Sequence, residues 1–133
     1  MEQLITIASY KPFKTTIERV VSLIKKEKLT IFAQIDHAAE AARNGLSLRP
    51  TMLILFGNPQ MGTVLMQDQQ GVGIDLPAKI LVWEAVTGKT WMSYNLMGSL
   101  KAKHQLGEES NGTLRKIEKV VSGICKEASG PEP

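Results

Sequence analysis

Few residues in this chain could carry chemistry, and they sit in short polar islands. Asp36-His37 sets a carboxylate beside an imidazole, the combination used by a general base or by a metal ligand with its orienting group. Asp36 is equally a natural cap for a helix opening at Ala38, and neighbouring strand residues point to opposite sides, which weakens the two as a dyad. Gly57-Asn58-Pro59 ends an apolar run and opens a helical one. There a glycine admits close approach of a ligand, and the first helical N–H groups would face an anion. The plainer reading is a strand-to-helix turn with Asn58 as cap and Pro59 at the first helical position. Gly62-Thr63 adds small residues one turn later, and no Lys-Ser/Thr follows at the spacing of a phosphate-binding loop. In Asp75-Leu76-Pro77 the proline holds Leu76 extended and Asp75 can close a turn. The functional version puts Asp75 at the rim of a cleft near Asn58 and Asp36.

Metal or haem chemistry would have to draw on His37, His104, Cys125 and carboxylates, with no paired ligand spacing among them. No metal ligands are assigned, and a metal or haem site would rest mainly on His37. Nucleophilic catalysis has no motif, and no catalytic residue is assigned. Cys125 falls beside an apolar helical stripe and reads as a small core residue, as the six methionines read as gap fillers.

These islands must be positioned by one ordinary domain, residues 1–128, with a frayed tail at 129–133. The chain has 133 residues, 43% of them hydrophobic and 22% charged. That is enough to bury a core without disulfide or metal. The net charge of +3 is spread along the chain, Lys25, Lys26 and Lys28 being interrupted by Glu27, so no nucleic-acid partner is expected. One cysteine, an acidic start without an apolar leader, and no apolar run beyond Met52–Phe56 point to a cytoplasmic protein without membrane association.

Residues 3–9 read as a strand. Thr15-Thr16-Ile17-Glu18 fits a capping box for a helix reaching about Lys28, with Ile17, Val20, Val21 and Ile24 as its inward stripe. Residues 29–36 alternate, Ile31, Ala33 and Ile35 facing one way and Phe32, Gln34 and Asp36 the other. A short helix at 38–43 stops at Asn44-Gly45. Thr51–Phe56 is apolar on both faces and should be a strand covered on both sides. Strands at 78–84 and 90–95 flank a Thr87-Gly88 hairpin, which would set Trp83 near Met92 and Leu81 near Tyr94. A loop or helical turn holding Gly98, Lys101 and His104 follows. The last helix carries Leu114, Ile117, Val121 and Ile124 inward. Two long amphipathic helices need one apolar sheet face, so the class is α+β in two layers with a mostly antiparallel sheet.

Taken together, Ile35-Asp36-His37-Ala38, Pro50-Thr51, Phe56-Gly57-Asn58-Pro59, Gly62-Thr63, Leu65-Met66 and Gly73-Ile74-Asp75-Leu76-Pro77 resemble the "domain of unknown function 302" family of bacteria and archaea, over about residues 3–127. The resemblance implies the order β-α-β-β-β-β-α, grouped with TATA-binding-protein-like architectures, and it implies no established activity. Some members lie fused to or beside redox and sulfur-metabolism proteins.

The expectation is therefore a non-enzymatic, homodimeric binding module for a small ligand or partner protein, its site near Asp36, His37, Asn58 and Asp75, its cofactor unknown. An enzyme using His37 as acid or base, oriented by Asp36 or Asp75, is the first alternative. A metal- or haem-binding protein is the second. What covers the second face of residues 51–56, the short helices, a ligand or another copy, is left open.

Overall fold

The computed structural model describes residues 4–131. Strand β1 (Leu4–Ser9) leads to the long helix α1 (Phe13–Lys26). Then come β2 (Thr30–Asp36), the short α2 (His37–Arg43), β3 (Thr51–Gly57) and α3 (Pro59–Asp68). A 3-10 turn at Gln70–Asp75 precedes the hairpin β4 (Ala78–Glu84) and β5 (Thr90–Asn95). The one-turn α4 (Leu100–His104) and the long α5 (Asn111–Ala128) complete the chain. The five strands form one sheet in the order β1-β5-β4-β3-β2, every neighbouring pair antiparallel. The expected two-layer α+β class is what the chain adopts.

Helical spacing explains why α1 and α5 share one sheet face. Val20 and Ile24 of α1 and Val121, Ile124 and Cys125 of α5 are buried against Ile54, Phe56, Ile80, Val82 and Met92 of the sheet. Each such large side chain contributes about 1.5–3 kcal/mol by leaving water. Cys125 is fully buried, and burial pushes its thiol up to about 12. A thiol reagent at pH 8 should therefore leave the native protein unlabelled and react only after denaturant is added; rapid native labelling would contradict this burial.

A smaller apolar cluster lies under α3, the 70–75 turn, α4 and the start of α5, made of Leu65, Val72, Met97, Leu100, Leu106 and Leu114. Asp68 ties it shut, accepting from the Gly107 N–H at 2.9 Å and the fully buried Ser110 hydroxyl at 2.6 Å.

Several local expectations need correction. Pro12, not Thr15, stands at the cap of α1, and the helix is already under way at Phe13. Thr16 is fully buried and donates to the Pro12 carbonyl at 2.9 Å, so the Ser9 hydroxyl 2.7 Å away donates to Thr16. A hydroxyl one turn inside a helix faces the preceding carbonyl and has no free N–H to cap. The helix stops at Lys26, not Lys28, because Lys28 turns left-handed with φ 59°. The Leu29 N–H then reaches Ile24 and the Lys28 N–H reaches Lys25, a Schellman closure.

In β2 a bulge between Ile31 and Ala33 breaks the expected alternation. Ile31 pairs with the buried Phe56, whereas Ala33 and Ile35 pair with Leu55 and Leu53 on the opposite face. The β4–β5 hairpin is one residue out of the expected register, since Trp83 pairs with Trp91, Val82 with Met92 and Leu81 with Ser93. Ala85 bonds both Gly88 and Lys89, and Gly88 has φ +86°. The loop is thus a three-residue turn with a glycine bulge, and the extra residue moves the register. Ser129, expected in the tail, is buried, and its carbonyl accepts from the Tyr10 N–H at 2.9 Å. Gln3 of the first expected strand and residues 132–133 of the tail lie outside the described residues.

Candidate functional site

Antiparallel pairing decides which polar islands can meet. Asp36 pairs with Met52, while Thr30, at the other end of β2, pairs with Gly57. At ~3.3 Å per residue, Asp36 and Asn58 are roughly 20 Å apart along the sheet. Ala78 pairs with Phe56, so Asp75-Leu76-Pro77 arrives beside Gly57-Asn58. The structure therefore gathers Asn58 and Asp75 at one end and leaves Asp36 and His37 at the other.

At that far end Asp36 caps α2, its Oδ1 accepting from the Ala39 N–H at 2.9 Å. His37 is exposed in the first turn of α2, a helix with no buried residue. Neither expected orienting carboxylate serves it, because Asp36 points to the helix N–H and Asp75 lies at the other end. Among the described residues no group of three or more His, Cys, Asp or Glu comes together as a metal would require.

At the near end Asn58 caps α3, its Oδ1 accepting from the Gln60 N–H at 2.9 Å. From there a cleft of about 320 Å³ opens between α3, the end of β3 and the Leu76–Pro77 segment. Its lining includes Gly57, Asn58, Gly62, Thr63, Met66 and Gly73. Leu76, Pro77, Met61 and the half-exposed Phe32 complete a mostly apolar wall. Of the residues that carry the family resemblance between Gly57 and Pro77, all but Leu65, Ile74 and Asp75 line this cleft. Gly62 keeps the floor open, since a Cβ there would sit 3.7 Å from Leu76 and 3.9 Å from Met66. The Thr63 hydroxyl donates to the Pro59 carbonyl at 2.8 Å, which leaves the Asn58 amide as the cleft's polar handle.

Asp75 stands just behind this wall and does not close a turn of its own. Its carboxylate meets His104 Nε2 at 2.5 Å and Lys103 Nζ at 3.0 Å, tying the last turn of α4 to the end of the 70–75 turn. A carboxylate only accepts, so the shared proton sits on Nε2. The His104 hydrogen bond holds Asp75 below the usual carboxylate range, burial opposes it, and Lys103 adds to the lowering. With the carboxyl depressed in the fold, its contribution is present above pH 3.8 and is lost as pH falls through the folded value. Asp75→Asn should thus cost about 1 kcal/mol at pH 7, the pair being partly solvated, with the gap to the native protein closing below pH 3.8. Urea unfolding across pH measures it, and a gap that widened in acid would refute the pairing. Sequence reasoning missed this pair: the partners are 29 residues apart, and a lone histidine in a lysine-rich turn carries no local signal.

Comparison with known proteins agrees with the fold and the motif set. The family described as "Domain of unknown function DUF302" matches residues 5–124. The chain is similar to the "Fluoride-specific ion channel FluC 1" of Brucella suis, at 41% identity over 127 residues, which cover 96% of this chain and 50% of that protein. The Brucella abortus protein of the same name is also 41% identical, with 96% and 47% covered. The chain thus spans about half the length of these relatives. No helix among the described residues is long and apolar enough to cross a membrane. In three dimensions it is similar to the crystal structure of an uncharacterized conserved DUF302 protein from Bacillus stearothermophilus. That likeness has a TM-score of 0.85 at 20% identity and covers 96% of this chain and 99% of the other. It speaks to the fold alone. On the residues matched, the chain is a member of the DUF302 family of domains of unknown function.

Proposed function

We propose that the protein is a non-enzymatic, homodimeric binding module. It holds a small, mainly apolar ligand in the cleft between α3 and the Leu76–Pro77 segment, in a reducing, cytoplasmic setting that suits a lone buried cysteine. One observation carries the reading: most of the residues in 57–77 that bear the family resemblance, separate in sequence, line one cleft. Its volume lies at the lower end of ligand sites. The chemistry of the lining favours binding over catalysis. Among the described residues no acid, base or thiol lines the cleft, and Asn58 offers one directional contact to a ligand bearing a single polar group.

A thermal-shift series with indole, p-cresol and benzamide as probes tests it. At ten times its Kd a probe that binds the native state alone adds about 1.4 kcal/mol, or about 5 °C at this chain length. Flat responses to all three up to their solubility would overturn the reading.

The Brucella relatives support a second reading, in which the module serves as partner to a fluoride-specific channel, since in those proteins a matching segment makes up about half of a chain so named. Co-purification of this chain with such a channel from detergent extracts would support it, and separate elution would not.

A further inference from the structure

The sheet has a second face that the described chain leaves bare. Register places a row across all five strands on that side: Ile35, Leu53, Leu81, Ser93 and Thr6. Beside it run Trp83 and Trp91, stacked with centroids 6.2 Å apart. None of the large apolar residues on this side reaches the burial of Ile54 or Ile80, and Ile35 is 36% exposed. Of the short helices, α3 and α4 pack with α5 on the other side, and α2, which touches β3, has no buried residue of its own. On this side Thr51, Leu53 and Leu55 are half-buried within one chain, short of the full burial of Ile54 and Phe56.

Two properties fit this face for burial. First, three of its neutral polar groups are linked to one another: the Trp83 indole N–H donates to Ser93 Oγ at 3.0 Å, and the Ser93 and Thr6 hydroxyls bond at 2.8 Å. Covering these groups leaves the indole donor paired, which lowers the cost of desolvating them. Second, five strands ~4.8 Å apart and about six residues long make a platform of roughly 24 by 20 Å. At roughly 480 Å² that is the size at which apolar patches mark interaction sites, somewhat below the ~800 Å² per partner of a standard interface.

We infer that this bare face is the surface through which two copies of the chain associate, with Leu53 and Leu81 at the centre and Lys79 of each copy reaching Trp83 of the other. The inference deepens the homodimer part of the proposal above. Charge selects a second copy. Lys79, two residues from Leu81, and Trp83, two residues the other way, lie on the same face. A two-fold axis across the strands at Leu81 superposes each lysine on the opposite indole, a cation–π pairing beside the one that Lys89 already makes with Trp91 at 4.7 Å. Two such sheets stack about 10 Å apart.

Sedimentation of the full chain at 100 µM tests it, with an expected mass twice 14.6 kDa. Leu81→Lys and, separately, Leu53→Lys should raise the dimer Kd at least 100-fold with the circular dichroism unchanged, while Val86→Lys at the exposed hairpin tip leaves the mass alone. Tryptophan emission of the native protein should move to longer wavelength on dilution as Trp83 and Trp91 meet water. A 14.6 kDa particle at 100 µM, a dimer that survives both face substitutions, or a monomer that binds phosphatidylcholine–phosphatidylserine vesicles through this face would overturn it. A flat ligand screen with an intact dimer would strike the cleft alone, whereas a monomer that still binds probe would strike this surface alone.

Discussion

Gly62→Leu should abolish binding of indole-sized probes while leaving the fold as stable as before, or more so. Gly62 sits inside α3, where glycine costs roughly 0.8–1 kcal/mol relative to a good helix former. The space its Cβ would enter is the cleft floor, bounded by Leu76 and Met66 at ordinary contact distance. A leucine there projects into the volume the ligand would take. A loss of at least 100-fold, about 2.7 kcal/mol, is expected in probe titrations, together with an unchanged or slightly raised melting temperature. The combination is diagnostic, since a substitution that weakened binding by damaging the fold would lower both. Unaltered affinity in a folded Gly62→Leu protein would move the site elsewhere.

Phe56→Ala should produce the largest loss of stability. Phe56 is 1% exposed and is the largest fully buried side chain among the described residues, set in the sheet between Ile31 and Ala78. Truncation removes the transfer energy of a ring and leaves a void that paired strands cannot close, for about 3–5 kcal/mol. Chemical denaturation should show a lower midpoint with an unchanged slope, and melting should fall by roughly 10–20 °C. Phe56→Leu, nearer in volume, should cost well under half as much. A drop below 1 kcal/mol for the alanine would mean that the ring is not the centre of the core described here.

How far the molecule was legible in its residues depended on the range of the interaction. Both long helices and all five strands declared themselves, because the apolar stripe of α1 and the aliphatic run of β3 are local patterns that the core then fills. The caps at Asp36 and Asn58 were equally local, and each side chain accepts the N–H expected of it. The capping box at Thr15–Glu18 failed because Pro12 had already begun the helix, and the same residue types then served the buried Ser9–Thr16 pair.

Register was illegible where one residue is inserted. The bulge after Ile31 turns Ala33 and Ile35 to the bare face, and the bulge at Gly88 shifts Trp83 from Met92 to Trp91. Neither insertion changes composition or periodicity enough to be read. The site was half legible. Asn58 and Asp75 are brought to one end of the sheet by antiparallel pairing, and the same pairing carries Asp36 and His37 away. The Asp75–His104 contact depends on where α4 docks, and no short-range pattern encodes that.

The most direct test of the cleft is a titration of methyl-¹³C-methionine protein with indole, read by nuclear magnetic resonance. Met61 and Met66 line the cleft, whereas Met92 lies in the main core and Met97 under α4. Met61 and Met66 methyl signals should move together along one saturating curve while Met92 and Met97 stay in place. Signals of Met61 and Met66 that never move, while indole perturbs the sheet face around Trp83 and Trp91, would contradict it.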